Sequence, residues 1–302
     1  MKKTIIAVIL LLLLPTYALA GTYDAIMDTG GDAGKLTVRF PDLDSISGDK
    51  AGDCAILSSP DGKIMVIDAG APDAADDVLR ALDAMGVSTI DYLVASHPHI
   101  DHVGGMPQII ENYEVKNAYA SFVEYDTIYT QAFKKALKNN SVPFTLLERG
   151  DTFLFGDEVT VRILHPGGDI VYYDKYPEGG TQFINDLSLV MLLEYKGTRM
   201  LFSGDLYSLG EKDVLSQNSD LKADLFKVSH HGADTSSGKA WRTAVAPKVA
   251  VITHNGIASA RIPRKFSEEG ADVYHTFVDG AIRVSSFGGG VLDVLTEEQN
   301  GF

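Results

Sequence analysis

The chain has 302 residues, of which 45% are apolar and 22% are charged, and this composition excludes a disordered or fibrous protein. Its net charge is −15, which becomes −17 if Lys2 and Lys3 leave with a leader peptide. A field of this sign repels nucleic acid and anionic membranes, so any phosphodiester substrate must be held by local positive charge. The single cysteine, Cys54, excludes a framework of intrachain disulfides.

The N-terminus has the pattern of a secretory signal peptide, which we assign to residues 1–20. Two lysines precede an apolar run from Ile5 to Leu14, and Ala18 to Ala20 match an A-x-A cleavage site. The run is about half as long as a transmembrane helix, so we expect no membrane span in the mature chain. The pattern predicts a secreted or periplasmic protein.

Residues 21–35 are rich in glycine and aspartate, and we expect them to form a flexible lead-in to one domain over residues 36–302. From Leu36 onward, short apolar strands alternate with amphipathic helices, without a repeat or an interdomain linker. The predicted helices are Asp73–Met85 and Tyr129–Leu137. The predicted strands are Leu36–Phe40, Cys54–Leu57, Lys63–Ile67, Ile90–Ala95, Thr152–Phe155, Val159–Leu164, Leu187–Glu194, Met200–Phe202, Leu225–Val228, Val249–Thr253, Val273–Thr276 and Ala281–Ser285. This order indicates two sheets packed face to face and covered by helices.

The strand that ends at Ala95 leads into the sequence His97-Pro98-His99-Ile100-Asp101-His102. Side chains alternate faces in an extended segment, so His97 and His99 can chelate one ion, while Asp101 and His102 can reach a second ion. The whole chain has 8 histidines, so this spacing is improbable by chance. It predicts a metal centre, with solvated loop histidines as the alternative.

This motif resembles the metal-binding motif of the metallo-β-lactamase superfamily. Three further segments resemble the same family: Val66–Gly70, Leu201–Asp205 and Phe226–Gly232. The resemblance implies that Asp68 supports the metal loop and that Asp205 bridges two ions. It also implies that one of two adjacent histidines binds the second ion, and we favour His231 as this ligand and His230 as the residue that faces substrate. The fold it implies is α/β, the αββα sandwich of the family.

Within the superfamily, the sequence is most similar to the metal domain of ComEC-type DNA-uptake proteins, over about Leu36 to Phe287. The segments that carry this likeness are Gly52–Leu57, Asn185–Val190, His230-His231-Gly232 and Val273–Thr276. Most superfamily members place a third histidine on the first ion where this chain has Asn185-Asp186. The likeness to ComEC-type domains implies that Asp186 is this ligand, with Asn185 and His165 as alternatives.

The ligand set of imidazoles and carboxylates suits two divalent ions, zinc above all, and tolerates manganese or iron. Two such ions can share a hydroxide that attacks phosphorus or a carbonyl carbon. The predicted catalytic side chains are Asp101, as proton acceptor, and His230, as a stabiliser of developing negative charge. The ComEC likeness favours a phosphodiesterase or nuclease acting on a small-molecule or nucleic-acid phosphodiester. A hydrolase of a lactone, lactam or thioester is one alternative, and a non-catalytic metal-binding module is another.

Two further features could select the substrate. The segment Pro166–Phe183 is long enough to cover the site, and its residues Tyr172, Tyr173 and Tyr176 could stack on bases or simply pack on the surface. Lys227 and Arg242 are candidates for contacts to phosphate.

Overall fold

The computed structural model describes residues 19–20, 22–45, 50–121, 125–168, 177 and 179–298. Within these residues the chain forms a nine-stranded and a seven-stranded sheet, together with a small pair of strands. No helix among them is long and apolar enough to cross a membrane. Residues 1–18 of the predicted leader lie outside the described residues, whereas Leu19–Ala20 pair in parallel with Asp293–Thr296.

The strands follow one another along the chain as β1 (Leu19–Ala20), β2 (Leu36–Phe40), β3 (Ala55–Ser58), β4 (Ile64–Ile67), β5 (Thr89–Ile90), β6 (Tyr92–Ala95), β7 (Glu114–Val115), β8 (Ala118–Ser121), β9 (Phe144–Leu147), β10 (Thr152–Phe155), β11 (Val159–His165), β12 (Val190–Tyr195), β13 (Thr198–Phe202), β14 (Leu225–Lys227), β15 (Val249–Ile252), β16 (Asp272–His275), β17 (Ile282–Ser286) and β18 (Asp293–Thr296). The first sheet has the order β1-β18-β17-β2-β3-β4-β6-β8-β9, and the second has the order β10-β11-β12-β13-β14-β15-β16. Strands β5 and β7 form the small pair.

The helices are α1 (Tyr23–Met27), α2 (Ala75–Ala84), α3 (Ile100–Val103), α4 (Met106–Asn112), α5 (Ile128–Asn139), α6 (Thr181–Asn185), α7 (Ser208–Gln217), α8 (Lys239–Val245), α9 (Arg261–Glu268) and α10 (Thr276–Asp279). A short 3₁₀ segment spans Ser229–Gly232. The two helices predicted from sequence correspond to α2 and α5. Helix α5 begins at a capping box in which Thr127 and Thr130 satisfy each other's backbone amides.

Alternate residues of the central strands face different layers of the core, which explains why these strands are apolar on both faces. Leu57 and Met65 pack against Met191 and Phe202 in a cluster between the two sheets. The outer faces contribute to two further clusters. One joins the first sheet to α2, α4 and α5 and includes Val66, Leu93, Val78, Leu82, Ile109 and Phe133. The other joins the second sheet to α7, α8 and α9 and includes Leu201, Phe226, Val214, Trp241 and Phe266. The four layers confirm the αββα sandwich.

The start of the domain differs from the flexible lead-in expected over residues 21–35. Helix α1 buries Ile26 and Met27 completely against the first sheet. The buried guanidinium of Arg39 donates to the carbonyl of Ile26 at 2.7 Å and pairs with Asp32 at 2.8 Å. These contacts tie residues 26–32 to β2, so glycine and aspartate content alone was a poor guide to this segment.

One predicted strand also begins later than expected. The sequence Leu187–Glu194 reads as a continuous strand, but β12 begins at Val190. The amides of Leu187 and Ser188 instead donate to the carbonyls of Ile184 and Asn185, which closes the turn after α6. This turn holds the Asn185-Asp186 pair away from a regular strand.

Candidate metal centre

The residues of the predicted metal centre lie at one edge of the sandwich, where parallel strands end. The segment His97 to His102 follows β6, Asp205 follows β13, and His230-His231 follow β14. Strands β4, β6 and β8 run parallel to one another, as do β13, β14 and β15. The carboxyl ends of parallel strands meet at one edge of a sheet, which is where open α/β sheets place their ligand sites.

The imidazoles converge on the carboxylate of Asp205. Nε2 of His102 lies 3.4 Å from Oδ1 of Asp205, and Nε2 of His231 lies 3.5 Å from Oδ2. His97 Nε2 lies 3.9 Å from Asp205 Oδ2 and 3.0 Å from His99 Nδ1. This arrangement gathers candidate ligands from three separate parts of the chain, the segment His97 to His102, Asp205 and His231.

Asp101 closes the cluster from the other side. Its Oδ2 lies 3.3 Å from Nε2 of His231, and its Oδ1 lies 4.0 Å from Nε2 of His102. The motif therefore brings its three histidines and its aspartate to one place, as the spacing predicts.

The donor atoms fit a metal ion. Nε2 of His102, Nε2 of His231 and Oδ1 of Asp205 are buried and have no hydrogen-bond partner among the described residues. Buried polar atoms without a partner are costly, so such a group of converging atoms needs a ligand. His102, Asp205, His231 and Asp53 each offer one donor atom, and these atoms lie within 4.8 Å of one another. Imidazole nitrogen and carboxylate oxygen are the donors that zinc accepts in proteins.

The electrostatics of the cluster favour positive charge between the carboxylates. Burial opposes a charge on His102, but Asp205, Asp68 and Asp101 outweigh burial and raise its pKa to about 10. Burial likewise opposes a charge on Asp205, yet His231 and His102 hold its pKa well below the usual range. Burial lowers the pKa of His97 well below its ordinary value. A cation bound here would take the place of the protons on His102 and His231.

Asp68 holds the metal loop in place. Its Oδ1 accepts the backbone amide of Ser96 at 2.7 Å, and its Oδ2 accepts the Ser96 hydroxyl at 2.6 Å. Oδ2 also lies 2.8 Å from Nδ1 of His102. A carboxylate on Nδ1 fixes the ring so that Nε2 faces the metal. These contacts match the supporting role that the resemblance implies for Asp68.

The two adjacent histidines turn to different sides of the site. His230 and His231 have φ of 49° and 53°, in the left-handed region that residues other than glycine rarely adopt. This turn places His231 inside the ligand cluster, whereas His230 lines the open cavity with Nε2 3.7 Å from Asp205. The arrangement agrees with His231 as the ligand and His230 as the residue that faces substrate. Burial lowers the pKa of His230 to about 4.

Of the three candidates for the remaining position on the first ion, Asn185 lies at the cavity. Asn185 hydrogen-bonds His99, and its Oδ1 is buried. Asp186, the favoured ligand, instead accepts the backbone amide of Gly210 through Oδ1 at 2.7 Å, and the residues that line the cavity do not include it. His165 lies 3.2 Å from Asp213 and 2.8 Å from the carbonyl of Asp186. The structure thus favours the alternative Asn185, because the turn after α6 directs the two neighbouring side chains to different sides.

The centre opens into a cavity of about 690 Å³. Its wall includes His99, Asp205 and His230, together with Tyr125, whose ring stands edge-on to His99 at 5.5 Å. Lys50 also lines the cavity, with Nζ 3.5 Å from Nε2 of His230. Tyr172, Tyr173 and Tyr176, the predicted stacking residues, lie outside the described residues.

A comparison with sequence models of protein families agrees with this geometry. The family model of the metallo-β-lactamase superfamily matches residues 48–254. The chain belongs to the metallo-β-lactamase superfamily.

Individual relatives refine this placement. ComE operon protein 3 of Bacillus subtilis (strain 168) is 27% identical over 172 residues, which are 57% of this chain and 21% of that protein. This match confirms the likeness to ComEC-type domains. Endoribonuclease YSH1 of Kluyveromyces lactis is 27% identical over 214 residues, 62% of this chain and 27% of that protein. The chain therefore spans between a fifth and a third of the length of these two relatives.

A solved structure shows the same fold at low identity. Zinc-bound PqqB from Methylobacterium extorquens matches with a TM-score of 0.52 and 13% identity, over 80% of this chain and 98% of that protein. At this identity the likeness concerns the fold alone.

This superfamily centre contains a residue that the sequence analysis missed. Asp53 lies two residues before the start of β3, and its Oδ1 lies 3.0 Å from Nδ1 of His231. Its neighbour Gly52 has φ of 93°, and a Cβ there would fall 1.8 Å from the carbonyl oxygen of Asp101. Since β3 is antiparallel to β4, its beginning lies at the same edge as Asp68. The Gly-Asp pair before a strand that pairs with the Asp68 strand was the available signal.

The two basic side chains proposed as phosphate contacts form ion pairs with other residues of the protein. Lys227 is 5% exposed, and its ammonium pairs with Asp53. Arg242 is 6% exposed and pairs with Glu269 at 2.8 Å. Neither residue lines the cavity beside the metal centre, so the structure does not place them to contact a phosphate bound there.

Proposed function

We propose that the chain is a hydrolase that uses two divalent metal ions, zinc in the first place, to cleave a phosphodiester. The observation that carries this proposal is a convergence of metal-binding atoms beside an open cavity. These atoms of His102, His231 and Asp205 are buried and have no hydrogen-bond partner within the described part of the chain. We further propose that residues 1–20 direct the protein to the periplasm or the medium.

The ligands divide into two groups around Asp205. His97 and His99 form the first group, with Asn185 at its border. Asp101, His102 and His231 form the second group. When bound there, the ions would polarise the substrate and lower the pKa of water. Manganese and iron also accept this set of donors.

His230 is placed to act on the substrate. The Nδ1 atom lies 2.5 Å from the hydroxyl of Thr235, which can donate its proton to that nitrogen. In this tautomer Nε2 carries a proton and cannot accept from the ammonium of Lys50, 3.5 Å away. Both groups then face the cavity as donors to an oxygen that gains negative charge. Tyr207 packs on the ring at 4.8 Å and restrains its orientation.

Asp101 has the position of a proton acceptor. It is 8% exposed, lines the cavity, and pairs with His231 inside the cluster. Burial opposes its charge, but His102 and His231 hold the pKa of Asp101 below its usual range, so it is a carboxylate at neutral pH. A carboxylate at the border between cluster and cavity can take a proton from the attacking water.

The position of Lys50 in the cavity wall favours a negatively charged substrate. The ligand cluster and the cavity wall contain Asp73, Asp101 and Asp205, and the ammonium of Lys50 faces the same space beside His230. An ammonium next to the reacting centre can hold the non-bridging oxygens of a phosphodiester. The endoribonuclease named among the relatives is consistent with this choice.

A substrate panel tests the proposal. Purified protein loaded with zinc would be offered bis(p-nitrophenyl) phosphate, single-stranded DNA, a chromogenic lactam and a thioester. We expect turnover of the phosphodiesters, lost on treatment with a chelator. Turnover of the lactam or the thioester alone would replace the phosphodiester with a carbonyl substrate. Stoichiometric metal without any turnover would favour the non-catalytic module.

A further inference from the structure

Behind His231, on the side away from the cavity, lies a row of buried polar side chains that the predicted ligand set does not include. Asp53 is 3% exposed, Lys227 is 5% exposed and Thr253 is 2% exposed. The ammonium of Lys227 pairs with Oδ2 of Asp53, and the hydroxyl of Thr253 donates to Oδ1. Both carboxylate oxygens of Asp53 are therefore engaged by donors from the second sheet.

The same carboxylate determines which nitrogen of His231 carries the proton. Nδ1 lies 3.0 Å from Oδ1 of Asp53 and 3.1 Å from the carbonyl oxygen of Thr253. Both oxygens are acceptors, so Nδ1 must be the donor. The other nitrogen, Nε2, faces Asp101 at 3.3 Å and Asp205 at 3.5 Å. The ring therefore offers its Nε2 lone pair to the centre of the cluster.

Distances alone leave two roles open for Asp53, since one of its oxygens lies within 4.8 Å of donor atoms of His102, Asp205 and His231. Its position excludes the simpler role of a ligand. Oδ2 lies 4.0 Å from Nδ1 of His102, so Asp53 stands behind both imidazoles, on their Nδ1 sides. An ion held by the two Nε2 atoms lies on the opposite side of these rings.

We propose that Asp53 is a positioning residue that holds His231 in the Nδ1–H tautomer, and that Lys227 fixes Asp53 in this position. This inference rests on the proposed metal-dependent hydrolase. Asp53 serves His231 as Asp68 serves His102, so each imidazole of the second ligand group has its own carboxylate on Nδ1. Lys227 adds a buried cation that compensates the charge of Asp53 within the core.

The test compares zinc affinity, measured by competition with a chelator, between the intact chain and two variants. Asp53→Asn removes the charge but leaves the buried Lys227 without an anion, so we expect this variant to lose stability. Asp53→Leu combined with Lys227→Met removes both charges and keeps side chains of similar shape. Replacing both partners of a buried ion pair by apolar residues is often neutral for stability. The double variant therefore separates positioning from folding.

We expect the double variant to fold and to bind zinc about tenfold to a hundredfold more weakly, with the same number of ions at saturation. Spectra of ¹⁵N-histidine in the zinc-loaded chain should show His231 protonated on Nδ1, and this signature should be lost in the variant. Wild-type zinc affinity in the double variant would overturn the proposal, because the pair would then serve stability alone. Loss of one ion at saturation would also overturn it, because Asp53 would then be a ligand.

A matched control removes a buried ion pair at the far end of the sandwich. Asp32 pairs with Arg39 beside the turn at Pro60. This turn lies at the start of β4, whereas Asp68 and the metal centre lie at the end of that strand. Asp32→Asn should lower the melting temperature without changing zinc affinity. Both readouts are independent of turnover, so failure on the substrate panel would reject the proposed reaction and leave this inference to be judged by metal binding. A wild-type chain that bound no zinc would reject both.

Discussion

Nε2 of His102 lies 3.4 Å from Oδ1 of Asp205, and both atoms are buried without a hydrogen-bond partner among the described residues. His102 lies in α3, which follows β6 of the first sheet, and Asp205 follows β13 of the second sheet, so this contact joins the ends of the two sheets. A protein that places two such atoms together without a ligand would lose stability. The relationship therefore makes Asp205 the most informative residue to change.

Asp205→Ala should abolish hydrolysis and reduce bound metal, because it removes the carboxylate that the surrounding imidazoles share. His165→Ala should leave the metal content nearly unchanged, because His165 contacts Asp213 and the carbonyl of Asp186. It should lower stability by about 1–3 kcal/mol, since buried hydrogen bonds are lost. Metal analysis of both variants checks this contrast. Equal loss of metal in the two would mean that His165 is a ligand.

The Asn185-Asp186 pair provides a second contrast. Asn185→Ala should weaken the binding of one ion about tenfold, since Asn185 lies beside His99 at the cavity. Asp186→Asn should change metal binding little, because the new amide oxygen can still accept the amide of Gly210. Zinc titration of the two variants measures the difference. Loss of an ion from Asp186→Asn, with Asn185→Ala unaffected, would restore Asp186 as the ligand.

Lys50→Ala should raise the KM for bis(p-nitrophenyl) phosphate about tenfold, which corresponds to about 1.4 kcal/mol, and should change kcat less. The physical reason is the loss of the ammonium beside His230 that faces the cavity. The matched control is Lys239→Ala, which removes an exposed lysine from the start of α8. If Lys50→Ala and Lys239→Ala gave the same KM as the unchanged chain, Lys50 would have no part in substrate binding.

Stability should also depend on pH through Asp42, which is not one of the candidate metal ligands. Burial, followed by the charges of Glu297, Asp77 and Asp44, raises the pKa of Asp42 from 3.8 to about 7. A raised carboxyl pKa means that the folded state retains a proton that the unfolded state releases. The free energy of unfolding therefore falls as pH rises from about 4 to about 7, and this contribution is fully lost above the folded pKa.

Asp42→Asn should remove this loss and make the protein more stable than the unchanged chain above pH 7, by about 1–2 kcal/mol after allowance for the partial exposure of Asp42. Urea unfolding on both sides of the transition measures the difference. Asp157→Asn, in the exposed turn between β10 and β11, is the matched control. If the free energies of unfolding of Asp42→Asn and the intact chain differed by the same amount at acidic and at neutral pH, the raised pKa of Asp42 would be contradicted.

The sequence was sufficient for the parts of the fold and site that depend on short-range patterns. The hairpin of β3 and β4, with its Pro60-Asp61-Gly62 turn, follows from turn chemistry and apolar runs. The ligand motif follows from alternation at the end of β6 and from the rarity of histidine. Each of these features lies within a few residues of its own signal.

Features that depend on packing between distant segments were harder to predict from the sequence. Helix α1 becomes ordered because Ile26 and Met27 find an apolar surface on the first sheet, which local composition does not reveal. Lys227 is a buried partner of Asp53, although 174 residues separate them in the chain. The choice between Asn185 and Asp186 depends on the end of α6, where neighbouring side chains point in different directions and contact different parts of the fold.

The central claim is that imidazoles and carboxylates around Asp205 bind divalent metal ions on which hydrolysis depends. Elemental analysis of purified, active protein by plasma mass spectrometry tests it most directly, with activity followed as a chelator removes metal. We predict about two transition-metal ions per chain, with activity lost as they leave and restored by zinc. Full activity in protein that contains no transition metal would contradict the account.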